Sequence, residues 1–201
     1  MINKEFFEHF WQENYKDIAP LGYVLREHFF NDRWFRVHSL PNSKRYAENE
    51  DEKQIILDRQ NKLITDLVGA QYDYLLLLSA WSEAPTAEIF SEFSHAIVID
   101  SIRFNGDSCY LNEGYYLNLA IINKKWESGS IDDYLNAVAN EEPLINSVSC
   151  NVYLFLMVDL NQNRIIAPYD GGVDIFLNTT RERDEFKLKY KEWLSSHERG
   201  L

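Results

Sequence analysis

Hydrophobic and polar positions along this chain follow two periods, and the clearest pattern lies in its last quarter. Val152–Val158 is an unbroken apolar run bounded by Asp159-Leu-Asn-Gln-Asn163, the mark of a buried strand entering a hairpin. Asn161-Gln162-Asn163 suits the corner, because Asn tolerates positive φ and bonds its own backbone. A second strand, Arg164–Ala167, is expected to close at Pro168, which has no N–H to give. Gly171-Gly172 then predicts a tight turn with left-handed backbone. Beyond it Val173, Ile175 and Leu177 alternate with Asp174 and Phe176, predicting a half-buried strand. Thr179 with Glu182 forms a capping box. It opens a helix that puts Phe186, Tyr190, Trp193 and Leu194 on one face and pairs Glu185 with Lys189 on the other. The stretch reads as a three-stranded meander closed by a helix.

The same reasoning runs along the rest of the chain. Asn3–Tyr15 is expected to be an amphipathic helix carrying Phe6, Phe7, Phe10 and Trp11, an aromatic stripe suited to core packing. Tyr23–Arg26 and Trp34–Ser39 read as strands separated by a polar turn at Asn31-Asp32, with Trp34, Arg36 and His38 sharing a face of the second. Leu40–Tyr46 is a loop. Glu48, Glu50, Asp51 and Glu52 crowd the start of a long helix, where carboxylates favour the positive dipole end. Its buried face is Ile56, Gln60, Leu63, Ile64 and Leu67, and Gly69 stops it. Asp73–Trp81 predicts a central strand, and Pro85–Phe93 a short helix. His95–Arg103 and Tyr115–Ile122 read as further strands around a turn at Asn105–Ser108. Ser130 is the expected N-cap of a helix over Ile131–Ala139, which Pro143 prevents from continuing.

These elements predict an α+β fold: a mixed, mainly antiparallel sheet of about six to eight strands with packed helices. No repeat or flexible linker interrupts the chain, so residues 1–201 are expected to form a single domain. The apolar runs are far shorter than a membrane helix, and acids stand near the N-terminus where a signal peptide carries bases, so a cytoplasmic protein is expected. Cys109 and Cys150 have no metal or redox spacing and read as small buried residues.

Charge changes the picture. The net charge is −12, and between Glu83 and Glu142 eleven acids face three bases, a local net of −8. Nucleic acid is disfavoured as a partner, whereas a basic protein is attracted. The candidate partner surface is Glu127, Asp132, Asp133, Glu141 and Glu142; simple solubility accounts for the same charge.

Three blocks carry a family resemblance: Phe35–Asn49, Trp126–Ala139, and Ala167-Pro-Tyr-Asp-Gly-Gly-Val-Asp174 with Arg181–Asp184 and Tyr190–Ser195. The chain resembles a family of uncharacterised bacterial proteins, of the domain-of-unknown-function kind, with a Tyr-Asp-Gly-Gly-x-Asp turn before the final helix. The resemblance spans most of the chain and implies no catalytic residue set.

No nucleophile elbow, phosphate loop, dinucleotide fingerprint or zinc motif is present, and the five histidines have no ligand spacing, so no metal or cofactor is expected. The leading functional expectation is a protein-interaction module of the toxin-neutralising (immunity) type, using the acidic surface. The alternative is an enzyme or small-anion binder. Its candidate pocket combines Arg36, His38, Lys44 and Arg45 with Tyr169, Asp170 and Asp174. There Arg supplies a bidentate fork, His a proton, and the paired carboxylates acid–base or cation chemistry. The plainer account of the same residues is turn chemistry for Asp170, a solvent-facing strand position for Asp174, and a structural salt bridge should either acid face Arg36.

Overall fold

The computed structural model of the chain describes residues 2–30, 32–103, 115–146 and 151–195. In chain order its elements are α1 (Lys4–Tyr15), α2 (Gly22–Phe29), β1 (Trp34–His38), α3 (Glu50–Val68), β2 (Asp73–Ser82), β3 (Ile97–Arg103), β4 (Tyr116–Lys125), α4 (Asp132–Ala139), β5 (Ile145–Asn146), β6 (Asn151–Asp159), β7 (Arg164–Tyr169), β8 (Gly172–Phe176) and α5 (Thr180–Lys189). The strands form one sheet in the order β1-β8-β7-β6-β2-β4-β3, with β5 paired to β6. Every pairing among the described residues is antiparallel. The α+β architecture expected from the sequence is therefore present.

Helices cover both faces of the sheet, which explains why its central strands read as unbroken apolar runs rather than alternating ones. On β2, Tyr74, Leu76 and Leu78 join Leu63, Ile64 and Leu67 of α3 and Leu135 of α4 in one core. Leu75 and Leu77, one residue out of step, face the other way against Phe7 and Trp11 of α1 and Leu25 of α2. The β8 strand is buried throughout for the same reason, not half-buried as its alternation implies. Asp174 is accordingly interior, not solvent-facing.

Local signals account for most helix limits. The Asn3 side chain accepts from Phe6 N at 2.9 Å to start α1, and Asn49 accepts from Glu52 N at 3.0 Å to start α3. Gly69, at φ 89°, ends α3. Thr179 caps α5 through Glu182 N, and Asn163 takes φ 51° in the β6–β7 corner.

Several expectations are corrected. Tyr23–Arg26 is not a strand; it lies inside α2, whose Leu21, Leu25 and Phe29 recur at intervals of four and face the core. Ser130 does not cap α4: the N-cap is Ile131, without a capping side chain, and Ser130 N closes a turn on Glu127 O. The helix expected over Pro85–Phe93 shrinks to a single 3₁₀ turn at Glu88–Phe90. Pro168 does not stop β7, which continues to Tyr169. Glu185 pairs with Arg181 rather than Lys189, which bridges to Asp66. The turn at Asn105–Ser108, Cys109 and Cys150 lie outside the described residues.

Candidate functional site

The β1–β8 register places Trp34 opposite Phe176, Arg36 opposite Asp174, and His38 opposite Gly172. Side chains two apart on a strand share a face, so these pairs form three successive rungs under α2. The first rung is apolar, the second is an ion pair, and the third opens into a cavity of about 540 Å³ beneath the N-terminal end of α2.

The ion pair is well built. Arg36 donates from Nε to Asp174 Oδ1 and from Nη2 to Oδ2, both at 2.8 Å, and the Trp34 indole adds a third donor to Oδ1 at 2.9 Å. Tyr169 lies against the guanidinium, its ring centroid 4.2 Å from Arg36 Cζ. Burial works against the charge on Arg36, but the hydrogen bond and field of Asp174 outweigh it and raise its pKa. Burial likewise pushes the Tyr169 phenol upward.

Gly172 makes the third rung possible. A Cβ there would meet Val37 O at 2.0 Å, His38 Cα at 3.1 Å and the Tyr169 hydroxyl at 3.1 Å. Neither Gly171 nor Gly172 adopts positive φ, so the glycine doublet serves the close approach of β1 to β8 rather than a left-handed turn. His38 lines the cavity. The residue is 8% exposed, and its Nε2, sealed from solvent, has no hydrogen-bond partner among the described residues. Burial and the neighbouring Arg36 charge lower its pKa against the opposing pull of Asp174 and of a hydrogen bond to the Gly171 carbonyl.

A second Arg–Asp pair stands at the rim. Arg45 donates from Nε to Asp170, and the Tyr46 hydroxyl sits 2.9 Å from Asp170 Oδ2 and 3.1 Å from Glu141 Oε1. Burial alone would raise the Asp170 pKa; the hydrogen bonds from Arg45 and Tyr46 prevail and hold it below the usual carboxylate range. The loop leading to Arg45 turns through Asn42 and Ser43 at φ 57° and 56°, and it brings Ser43 to the cavity wall.

Of the pocket residues expected from sequence, Arg36, His38, Arg45, Tyr169, Asp170 and Asp174 line this one cavity. Lys44 does not. Its ammonium reaches both carboxylate oxygens of Glu52 at 2.7 Å and Glu48 at 3.2 Å, drawn away by the acidic first turn of α3. Asp170 and Asp174 each bind their own arginine and do not form a carboxylate pair.

One cation escaped the sequence reading. Arg26 of α2 lines the cavity, and among the described residues no carboxylate forms an ion pair with it. The missed signal was the Leu21, Leu25, Phe29 spacing. Gly22, whose added Cβ would lie 2.9 Å from Ala167 Cβ, lets the α2 terminus sit directly on β7. That terminus has no capping side chain.

The acidic surface is divided. Glu127, Asp133 and Glu142 are exposed, while Asp132 accepts from Asn61 at 2.7 Å and Glu141 turns toward Arg45 and Tyr46. No group of three His, Cys, Asp or Glu residues able to hold a metal occurs among the described residues. No described helix is long and apolar enough to cross a membrane.

The family model described as a domain of unknown function, DUF3885, matches residues 21–198. The chain belongs to the DUF3885 family. No curated protein and no solved structure matches it. The DUF3885 match begins at Leu21 and so takes in all of α2 and every residue of the cavity wall except Pro20, leaving α1 outside it.

Proposed function

We propose that this DUF3885 protein binds a small organic anion in the cavity beneath α2. The observation that carries the reading is Arg26, a cation at the cavity wall without a carboxylate partner among the described residues. Three arginines (Arg26, Arg36, Arg45) face two carboxylates (Asp170, Asp174) across the cavity, a local excess of positive charge in a chain of net charge −12. Arg36 and Arg45 are already oriented by their aspartates, so a ligand meets donors that need little reordering. The uncapped helix end adds the favourable side of its dipole. Leu21, Phe155 and Ala167 supply apolar wall for the body of such a ligand. Our reading keeps the bacterial, cytoplasmic setting expected from the sequence, where carboxylated and phosphorylated metabolites abound.

Thermal-shift screening of such metabolites tests it. A binder present at roughly a hundredfold above its Kd raises Tm by about 5 °C. Arg26→Gln weakens that binding about tenfold or more. It leaves the unliganded Tm nearly unchanged, because no ion pair is lost. Failure of every anion to shift Tm, or full binding by the variant, overturns the reading.

A second reading is favoured by Glu127, Asp133 and Glu142, which are exposed and form no salt bridge among the described residues. They fit the docking of a basic protein, as in a toxin-neutralising module. Pull-down at low salt with all three reversed to Lys checks it. Retention of every partner sinks it.

A further inference from the structure

We infer that the ligand of this cavity carries a single negative charge, and that Asp170 together with Glu141 excludes a second. The inference rests on the anion-pocket reading and adds the charge class of the ligand. It follows from how the cations around the cavity are already engaged. Arg26 is claimed by no carboxylate among the described residues, so it can meet one anionic group. Arg36 cannot meet another. Asp174 takes its Nε and Nη2, Tyr169 lies against its guanidinium, and its side chain is 11% exposed. His38 adds no charge, since burial and the field of Arg36 keep its ring neutral. Lys44 is held away by Glu48 and Glu52.

That leaves Arg45 at the rim, and the rim is acidic on balance. Arg45 donates from Nε to Asp170, and its Nη2 stands 3.7 Å from Glu141 Oε1. The Tyr46 hydroxyl lies between the two acids, 2.9 Å from Asp170 Oδ2 and 3.1 Å from Glu141 Oε1. One cation therefore serves two carboxylates. A second negative group on the ligand, brought to this rim, meets an excess of negative charge and must displace Asp170 or Glu141 to reach Arg45. Like charges brought together in a cleft repel strongly, because its walls screen them less than water does. Specificity is built by such repulsion as much as by attraction. Monocarboxylates fit these charges, whereas dicarboxylates and phosphate monoesters do not.

Calorimetric titration of the full chain at about pH 7.5, where carboxylates are ionised, tests this with two matched pairs. They are adipamate against adipate, and 4-carbamoylbenzoate against terephthalate. The members of a pair share size and shape and differ by one charge. We expect the singly charged member of at least one pair to bind about tenfold or more tightly than its partner. Asp170→Asn, which keeps an acceptor for Arg45 and Tyr46, cuts that preference to about threefold or less. Glu141→Gln, at a side chain that is 61% exposed, lowers it as well and guards against an Asp170 variant that merely misfolds. Equal binding within each pair, lost in Arg26→Gln, overturns the single-charge inference and leaves the anion reading standing. A preference unchanged in both rim variants overturns the role of Asp170 and Glu141. No binding by any of the four probes overturns the inference and, if the metabolite screen is also blank, the anion reading beneath it.

Discussion

Asp174 sits opposite Arg36 across the β1–β8 ladder and accepts both of its hydrogen bonds at 2.8 Å, with the pair almost removed from solvent. Because β1 pairs only with β8 among the described residues, this ion pair anchors the edge of the sheet that carries the cavity. Breaking a buried pair leaves an uncompensated charge, which costs more than the pair contributes. Asp174→Ala is therefore expected to lower the unfolding free energy by about 3–5 kcal/mol. The double replacement Arg36→Met with Asp174→Leu costs less than that single change. Urea unfolding of the variants checks both, and a double variant less stable than Asp174→Ala would refute the argument.

Gly172 provides a steric counterpart. An added methyl meets the Val37 carbonyl at 2.0 Å and His38 Cα at 3.1 Å, both backbone atoms of β1 that cannot swing aside as a side chain would. Gly172→Ala is expected to cost about 3 kcal/mol through overpacking, and to loosen β1 as a unit. At Gly171 the nearest atoms are the Tyr169 ring at 2.9 Å and the flexible Arg45 stem at 3.4 Å, so Gly171→Ala costs less. Hydrogen exchange on β1 amides separates the two: only the Gly172 variant accelerates the whole strand.

The contrast between these glycines shows what was legible in the sequence. Alternation along Trp34–His38 and Val173–Leu177 was enough to put Arg36, His38 and Asp174 on definable strand faces, because strand period is local. The close approach at Gly172 is not local: it depends on β1 pairing with a strand more than 130 residues away, and the doublet alone reads as a turn. Helix α2 hid for a different reason. Leu21 stands at its N-cap where Ser, Thr, Asp or Asn would announce a helix, and four residues such as Tyr23–Arg26 fit either period. Arg26 was lost with it. Lys44 and Arg45 looked alike as neighbours, yet Glu52 claims one and Asp170 the other, a choice made by where α3 begins.

His38 gives the cavity a pH signature. Its folded-state pKa lies below its ordinary 6.5, so just under that value the unfolded chain binds a proton that the folded chain refuses. Stability from this group is complete above about pH 6.5, falls as pH drops toward the folded pKa, and is level below it. Asp170 and Asp66, both lowered from 3.8, lose their contributions only in a more acidic window. The stability difference between wild type and His38→Gln should therefore change between about pH 7 and pH 5, with wild type losing more. A difference that stays constant over that range would show that His38 is not held neutral.

Arg45 is the rim counterpart of Arg36, and the two should respond oppositely to removal. Arg36 is nearly enclosed with Asp174, whereas the Arg45 side chain is 60% exposed beside Asp170 and Glu141. Exposed ion pairs contribute little to folding, so Arg45→Gln is expected to keep the unfolding free energy within about 1 kcal/mol of wild type. Its charge still projects over the cavity mouth, and rim charges act on the approach of a ligand and on its salt dependence. The variant should thus bind an anion about threefold to tenfold more weakly at low ionic strength, converging on wild type as screening shortens to about 8 Å near 0.15 M salt. Titrations at two ionic strengths decide it. An affinity loss independent of salt would mean that Arg45 contacts the bound ligand directly, and that the rim pair with Asp170 opens on binding.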